Sequence, residues 1–151
     1  MKHRLKIAIV TPLRNEAENI KKLYDAVSKQ TIAVFSWIIL ENGSEDGSKE
    51  ILNKIKCPRN VKHLEVLNLT ESSINYELGS NYARIINYGF EFLKEKSYFN
   101  DIDYIGILDS DIFLEEKYYE KLLKSFEKDL KLGISSGEIV NLDGSKEKTN
   151  N

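Results

Sequence analysis

The segment LKIAIVTPLRNE, residues 5–16, sets an apolar, β-branched run directly against a proline and a polar turn. Residues 5–11 predict a buried strand that stops at Pro12. From 16 to 29 the apolar residues Ala17, Ile20, Leu23, Tyr24 and Val27 recur at helical spacing. Strand followed by helix is half of a βαβ unit, and the rest of the chain repeats the alternation. FSWIILE, residues 35–41, predicts a second strand, and residues 42–48 a loop. A helix carrying Ile51, Leu52 and Ile55 follows and ends by Pro58. Residues 61–69 predict a third strand and 70–78 a polar loop. Residues 80–96 predict a helix with Ala83, Ile86, Phe90 and Leu93 on one face. Residues 103–108 are expected as a fourth strand, its apolar run buried and central. Residues 115–130 predict a helix with Tyr119, Leu122, Leu123, Phe126 and Leu130, and 133–140 a fifth strand. The expectation is an α/β three-layer sandwich around a mostly parallel sheet. One domain is expected over residues 1–141, with a polar, frayed tail over 142–151.

Composition limits what such a domain does. The 151 residues are 41% hydrophobic and 30% charged, and the formal net charge is -2. That is an ordinary globular balance. It lacks the basic excess of a nucleic-acid footprint, so no nucleic-acid partner is expected. The single cysteine, Cys57, excludes an internal disulfide and fits a reducing compartment. The basic-then-apolar N-terminus runs into Arg14 and Asn15 too soon for a signal peptide. The longest apolar-rich stretch, 31–40, is far short of a membrane span. A cytoplasmic protein without a transmembrane segment is expected.

In parallel sheets, ligands bind beyond the carboxyl ends of the strands, so those ends carry the functional argument. The first is TPLRNEAEN, residues 11–19. It reads as a strand stop and a helix start, with Asn15 as the cap and acids suiting the helix dipole. Arg14 is less expected there and suits an anionic ligand. The second is ENGSEDGSKE, residues 41–50, where Asn42-Gly43 signals a turn and Ser44 or Asp46 caps the next helix. Asn42 also offers an amide that donates and accepts at once, as a nucleobase edge requires. The third is YIGILDSDIFL, residues 104–114. If the strand continued that far, Asp109 and Asp111 would share a side. Two converging carboxylates repel unless a cation or donors lie between them, and magnesium or manganese would fit. Equally, Asp109 ends a strand and Asp111 caps a turn. Between these ends, Arg84 lies one helical turn before Asn87 and Tyr88, and Gly89 inside the helix suggests close packing.

Together these segments resemble the inverting glycosyltransferases of family 2, which have the GT-A fold, over residues 5–141. The resemblance rests on Thr11-Pro12 with Asn15-Glu16, on Glu41-Asn42-Gly43-Ser44 with Asp46-Gly47-Ser48, on Gly79, Ala83, Arg84, Asn87 and Gly89, and on Asp109-Ser110-Asp111. It implies a nucleotide-diphosphate sugar, a UDP- or GDP-sugar, bound through Mn2+ or Mg2+ and transferred with inversion to an acceptor hydroxyl. Asp111 would be the metal ligand, with Asp109 supporting the ribose or the metal's water shell. Thr11, Pro12, Arg14, Asn15, Glu16, Glu41, Asn42, Ser44, Arg84 and Ser110 would line the donor site. Two departures stand out. Asn42 replaces the second acid of a pair, and the chain ends soon after the fifth strand, where the family continues into an acceptor-binding half carrying the catalytic base. Glu138 and Asp143 are acids, but nothing in their spacing recommends either as that base. The expectation is therefore a GT-A-like part truncated after the fifth strand. Such a part would associate with the missing acceptor half or with itself.

Two other readings compete. A haloacid-dehalogenase-type phosphatase also has an apolar strand ending in DxD. Its pair lies on the first strand, however, with a lysine and more acids well downstream. A nucleotide-sugar-binding or interaction domain without turnover is the non-enzymatic alternative.

Overall fold

The computed structural model describes residues 4–69, 80–138 and 140. Four strands, β1 (Ile7–Leu13), β2 (Val34–Asn42), β3 (Val61–Leu69) and β4 (Tyr104–Ile107), form one parallel sheet in the order β3-β2-β1-β4. Helices α1 (Ile20–Ser28), α2 (Ser48–Leu52), α3 (Ser80–Lys94) and α4 (Tyr118–Lys128) alternate with them. Alternation along the strands divides the apolar side chains between two cores. Ile7, Ile9, Leu13, Trp37 and Ile39 pack with Ile20, Leu23 and Val27 of α1, Leu52 of α2 and Tyr119 of α4. Ala8, Val10, Ile38 and Leu40 pack with Ile85, Ile86 and Leu93 of α3 on the other face. The three-layer α/β sandwich expected from the sequence is therefore the observed one. Because all the strands are parallel, their carboxyl ends share one edge.

The structure differs from the sequence reading at several boundaries. β1 does not stop at Pro12 but runs to Leu13, pairing Pro12 with Leu40. The Val10 carbonyl accepts Leu108 N–H on the β4 side, so alternation aims the missing N–H of Pro12 to that side as well. There β4 has already ended at Ile107, and no ladder bond is lost. The run 105–108 is not a buried central strand. β4 lies at the edge of the described sheet, and Ile105 and Ile107 are 37% and 49% exposed. No fifth strand forms over the described part of 133–140. Residues 133–138 are irregular, Val140 is an isolated bridge, and Ile134 is exposed. Gly137 N–H donates to the Tyr118 hydroxyl at 3.1 Å instead of entering a ladder. The helix expected to reach Leu130 ends at Lys128, and Leu130 is exposed. The loop 70–78, Gly79 and the tail 142–151 lie outside the described residues.

Gly89 sets the distance between α3 and the sheet. A Cβ there would lie 2.7 Å from Val10 Cγ1 and 3.0 Å from Leu40 Cδ1, both fully buried. Alanine would gain about 1 kcal/mol in helix propensity but overpack a tight site at about 1–3 kcal/mol. The sheet contact wins because Val10 is β-branched and has nowhere to move. Gly89→Ala is expected to lower the urea midpoint of unfolding. A raised midpoint would mean that α3 is free to lift off the sheet.

Candidate functional site at the strand carboxyl ends

Two loops at this edge are laced together. Asn15 takes a left-handed conformation (φ 55), which asparagine tolerates better than most residues. Three consecutive amides then face the loop after β2. Asn15 N–H donates to Ser44 Oγ, Glu16 N–H to Ser48 Oγ and Ala17 N–H to Asp46 Oδ2, each at 2.9 Å. In return Glu45 N–H donates to Asn15 Oδ1 at 2.8 Å. Asp46 Oδ1 also accepts Ser48 N–H at 3.0 Å and Ser48 Oγ–H at 2.6 Å. These bonds, the Ser48 hydroxyl foremost and then the Ala17 amide, hold the Asp46 carboxyl below the usual carboxylate range. The lacing explains why α1 begins at Ile20 rather than 16. Asn15 is not its cap, because its side chain serves the other loop, and Asn19 occupies the cap position without a side-chain capping bond, its amide donating instead to Glu16 Oε2 at 2.7 Å.

The acid pair lies next to this lacing, beyond β4. The strand ends at Ile107, and Ile112 N–H returns to the Asp109 carbonyl at 3.2 Å in a turn. Burial still alternates through the turn, with Leu108 and Ser110 buried and Asp109 and Asp111 exposed. Ile112 and Leu114 pack on the α1-side core. Behind them, Gln30 donates from Nε2 to the Glu115 carbonyl at 2.8 Å and accepts Tyr119 N–H on Oε1 at 3.2 Å. This buried amide ties the end of α1 to the start of α4 and closes the segment that bears the acids. Tyr82 of α3 donates its hydroxyl to Asp109 Oδ1 at 2.6 Å. Its phenol is pushed up, first by burial and then by this bond and the charges of Asp109 and Asp111. Among the described residues no lysine or arginine pairs with either acid, and no three metal-capable side chains cluster. Two carboxylates without a cationic partner suit a hard divalent ion that completes its shell with water and phosphate oxygens.

The residues singled out in the sequence fall into three groups. Asp109, Asp111, Asn15, Pro12, Arg14, Glu16, Asn42 and Ser44 lie exposed or half-buried along the edge. Asn42's amide has no hydrogen-bond partner among the described residues, whereas Ser44's hydroxyl is taken by Asn15. Thr11 and Glu41 lie beneath the edge, 0% and 1% exposed. Thr11 Oγ1 accepts Trp37 Nε1–H at 3.0 Å, and Glu41 Oε1 accepts Ser44 N–H at 2.5 Å. Their side chains support the loops from below. Ser110 is likewise buried between the acids. Arg84 is exposed on α3, and no contact among the described residues ties it to the acids. Tyr82 and Gln30 were not anticipated. An exposed tyrosine in an amphipathic helix and a glutamine at a helix end carry no periodic signal.

Known proteins resemble this chain in family and in fold. The family described as Glycosyl transferase family 2 matches residues 8–149. Glycosyltransferase AglE of Haloferax volcanii is 35% identical over 72 residues, 46% of this chain and 23% of that protein. Chondroitin synthase of Pasteurella multocida is 31% identical over 141 residues, 92% of this chain. The chain thus spans only 13% and 23% of these two relatives. A crystal structure of S. aureus TarS 1-349 in complex with UDP-GlcNAc superposes with a TM-score of 0.56 at 17% identity, over 82% of this chain and 32% of that one. The corresponding complex with UDP gives 0.54 at 16% identity. The fold is thus of the GT-A type.

Proposed function

The chain belongs to glycosyl transferase family 2, and from that premise we propose that it binds a nucleoside-diphosphate sugar across the carboxyl ends of β1, β2 and β4. The observation that carries this reading is the acid pair. Asp109 and Asp111 stand exposed beyond β4, without a cationic partner among the described residues, next to the laced loops of β1 and β2. The names of the TarS complexes, with UDP-GlcNAc and UDP, favour a uridine nucleotide.

Each part of the edge has a task in this reading. Asn42's open amide is suited to hydrogen-bond the base. Pro12, Arg14 and the Asn15 turn line the nucleotide on the β1 side. Asp109 supports the ribose. Asp111, with Asp109 beside it, would hold a Mn2+ or Mg2+ ion, whose charge would offset that developing on the diphosphate leaving group. Inverting transfer needs in addition a base for the acceptor hydroxyl, and no residue of this chain is assigned that role.

Calorimetric titration with UDP-GlcNAc, UDP and GDP, with Mn2+ or Mg2+ and again in chelator, tests the reading. Binding of at least one nucleotide that requires the metal is expected. Absence of binding by all three would overturn it. Release of UDP from the sugar on addition of candidate acceptors would indicate a transferase. Metal-dependent binding without release would indicate a donor-binding module that lacks turnover.

A further inference from the structure

We infer that Tyr82 is a positioning residue of the donor site, one that holds Asp109 so that one carboxylate oxygen is committed to α3 and the other is left for ligand. The assignment rests on the nucleotide-sugar reading above and extends it to a residue outside the family motifs quoted for this chain.

The inference starts from how firmly α3 is held. Ile85 and Ile86 are 6% and 5% exposed against the sheet, Leu93 is fully buried, and Gly89 brings the helix backbone close to Val10 and Leu40. Tyr82 lies three and four residues before that pair, so it extends the sheet-facing stripe by one more turn. α3 connects two parallel strands, so it runs back across the sheet and its first turns lie at the carboxyl edge. The ring of Tyr82 therefore overhangs the strand ends from a rigid support. It is 45% exposed, so part of the ring is covered and part faces solvent.

Asp109, by contrast, has weak local support. β4 pairs with β1 from Tyr104 to Ile107 and makes its last bond to β1 from Leu108 N–H to the Val10 carbonyl, and the acid lies just beyond that bond. The bond from Tyr82 at 2.6 Å is the sole side-chain hydrogen bond to either acid among the described residues. Without it the Asp109 carboxylate would sample several rotamers above solvent. With it, Oδ1 is fixed and Oδ2 stays open, while Asp111 remains open on both oxygens. The pair is thereby made unequal, one acid half committed and the other wholly available. A group fixed before the ligand arrives costs less ordering entropy on binding.

Tyr82→Phe removes only the hydroxyl. By calorimetry with UDP and Mn2+, the variant is expected to bind roughly tenfold more weakly, the loss of one hydrogen bond to a charged group. Its melting temperature should stay close to that of the wild type, because the ring remains and the hydroxyl's one hydrogen bond among the described residues is to an exposed carboxylate. In an Asp109→Ala background the same substitution should have no further effect, as coupled residues require. Equal affinity of variant and wild type would overturn the assignment and leave the nucleotide reading intact. So would additive losses in the double variant, or a fall in melting temperature in step with the affinity. Failure of the wild type to bind UDP would instead overturn the nucleotide reading, and this assignment with it.

Discussion

Asp111→Ala is expected to abolish the metal-dependent part of UDP binding, a loss of at least about 100-fold, because even outer-shell partners of a metal site cost 10–100-fold. The expectation follows from the pair's inequality. Asp109 already gives one oxygen to Tyr82, whereas Asp111 is exposed and accepts from no described residue. It is therefore the acid with full donor capacity for a hard ion. Asp109→Ala should cost less, because its part is shared with Tyr82 and the ribose. A second consequence distinguishes a ligand site from a structural one. Two like charges near each other destabilise the unliganded protein. Removing either acid should leave the melting temperature unchanged or raise it, while binding falls. Such an opposition between stability and function is common where acids are gathered for a ligand. UDP affinity that is the same for Asp111→Ala and the wild type in Mn2+ would refute the metal assignment. So would wild-type affinity that is unchanged by chelator.

What was legible in the sequence, and what was not, has a physical pattern. β3 was expected over 61–69 and is found there, because its apolar and polar residues are bounded by clear turn signals. The strand–helix alternation was legible for the same reason. Edge and centre were not. The run 105–108 is as apolar as a buried strand, yet Ile105 and Ile107 are half open because no described element covers that face of β4. Composition records what a strand is able to bury, not whether a neighbour is present. The supposed fifth strand failed because two glycines and two serines within 133–138 give little side-chain surface to a ladder. At the site, the motifs located the strand ends but not the face each side chain takes. Thr11 follows Ile9 and precedes Leu13 on the α1 face, so the period of two already placed it in the core. Tyr82 and Gln30 act through tertiary contacts with residues 27 and 89 positions away in sequence, a distance that no local pattern spans.

Trp37→Ala is the substitution expected to cost most in stability, about 3–5 kcal/mol. A domain of this size has about 5–15 kcal/mol in all. Trp37 is fully buried in the middle of β2, the strand that lies between β1 and β3. Its loss would open a cavity among Ile9, Ile39 and the α1 side chains, in a layer already closed by Leu23 and Val27. The indole also donates to Thr11 Oγ1 at 3.0 Å, so the alanine variant leaves a buried hydroxyl without its donor. Trp37→Phe separates the two contributions. It keeps most of the volume and should cost less than alanine, with the residual cost concentrated on Thr11. In that background Thr11→Val is expected to be neutral or stabilising, since both partners of the bond are then apolar. The same valine in the wild type should destabilise, because it strands the Trp37 N–H. The effect should also reach the site. Thr11 lies four residues before the Asn15 turn, whose amides hold the two loops together. UDP affinity should therefore fall in Trp37→Ala even under conditions where the protein remains folded. Urea unfolding within about 1 kcal/mol of the wild type for Trp37→Ala would show that the layer between β2 and α1 is looser than its burial indicates.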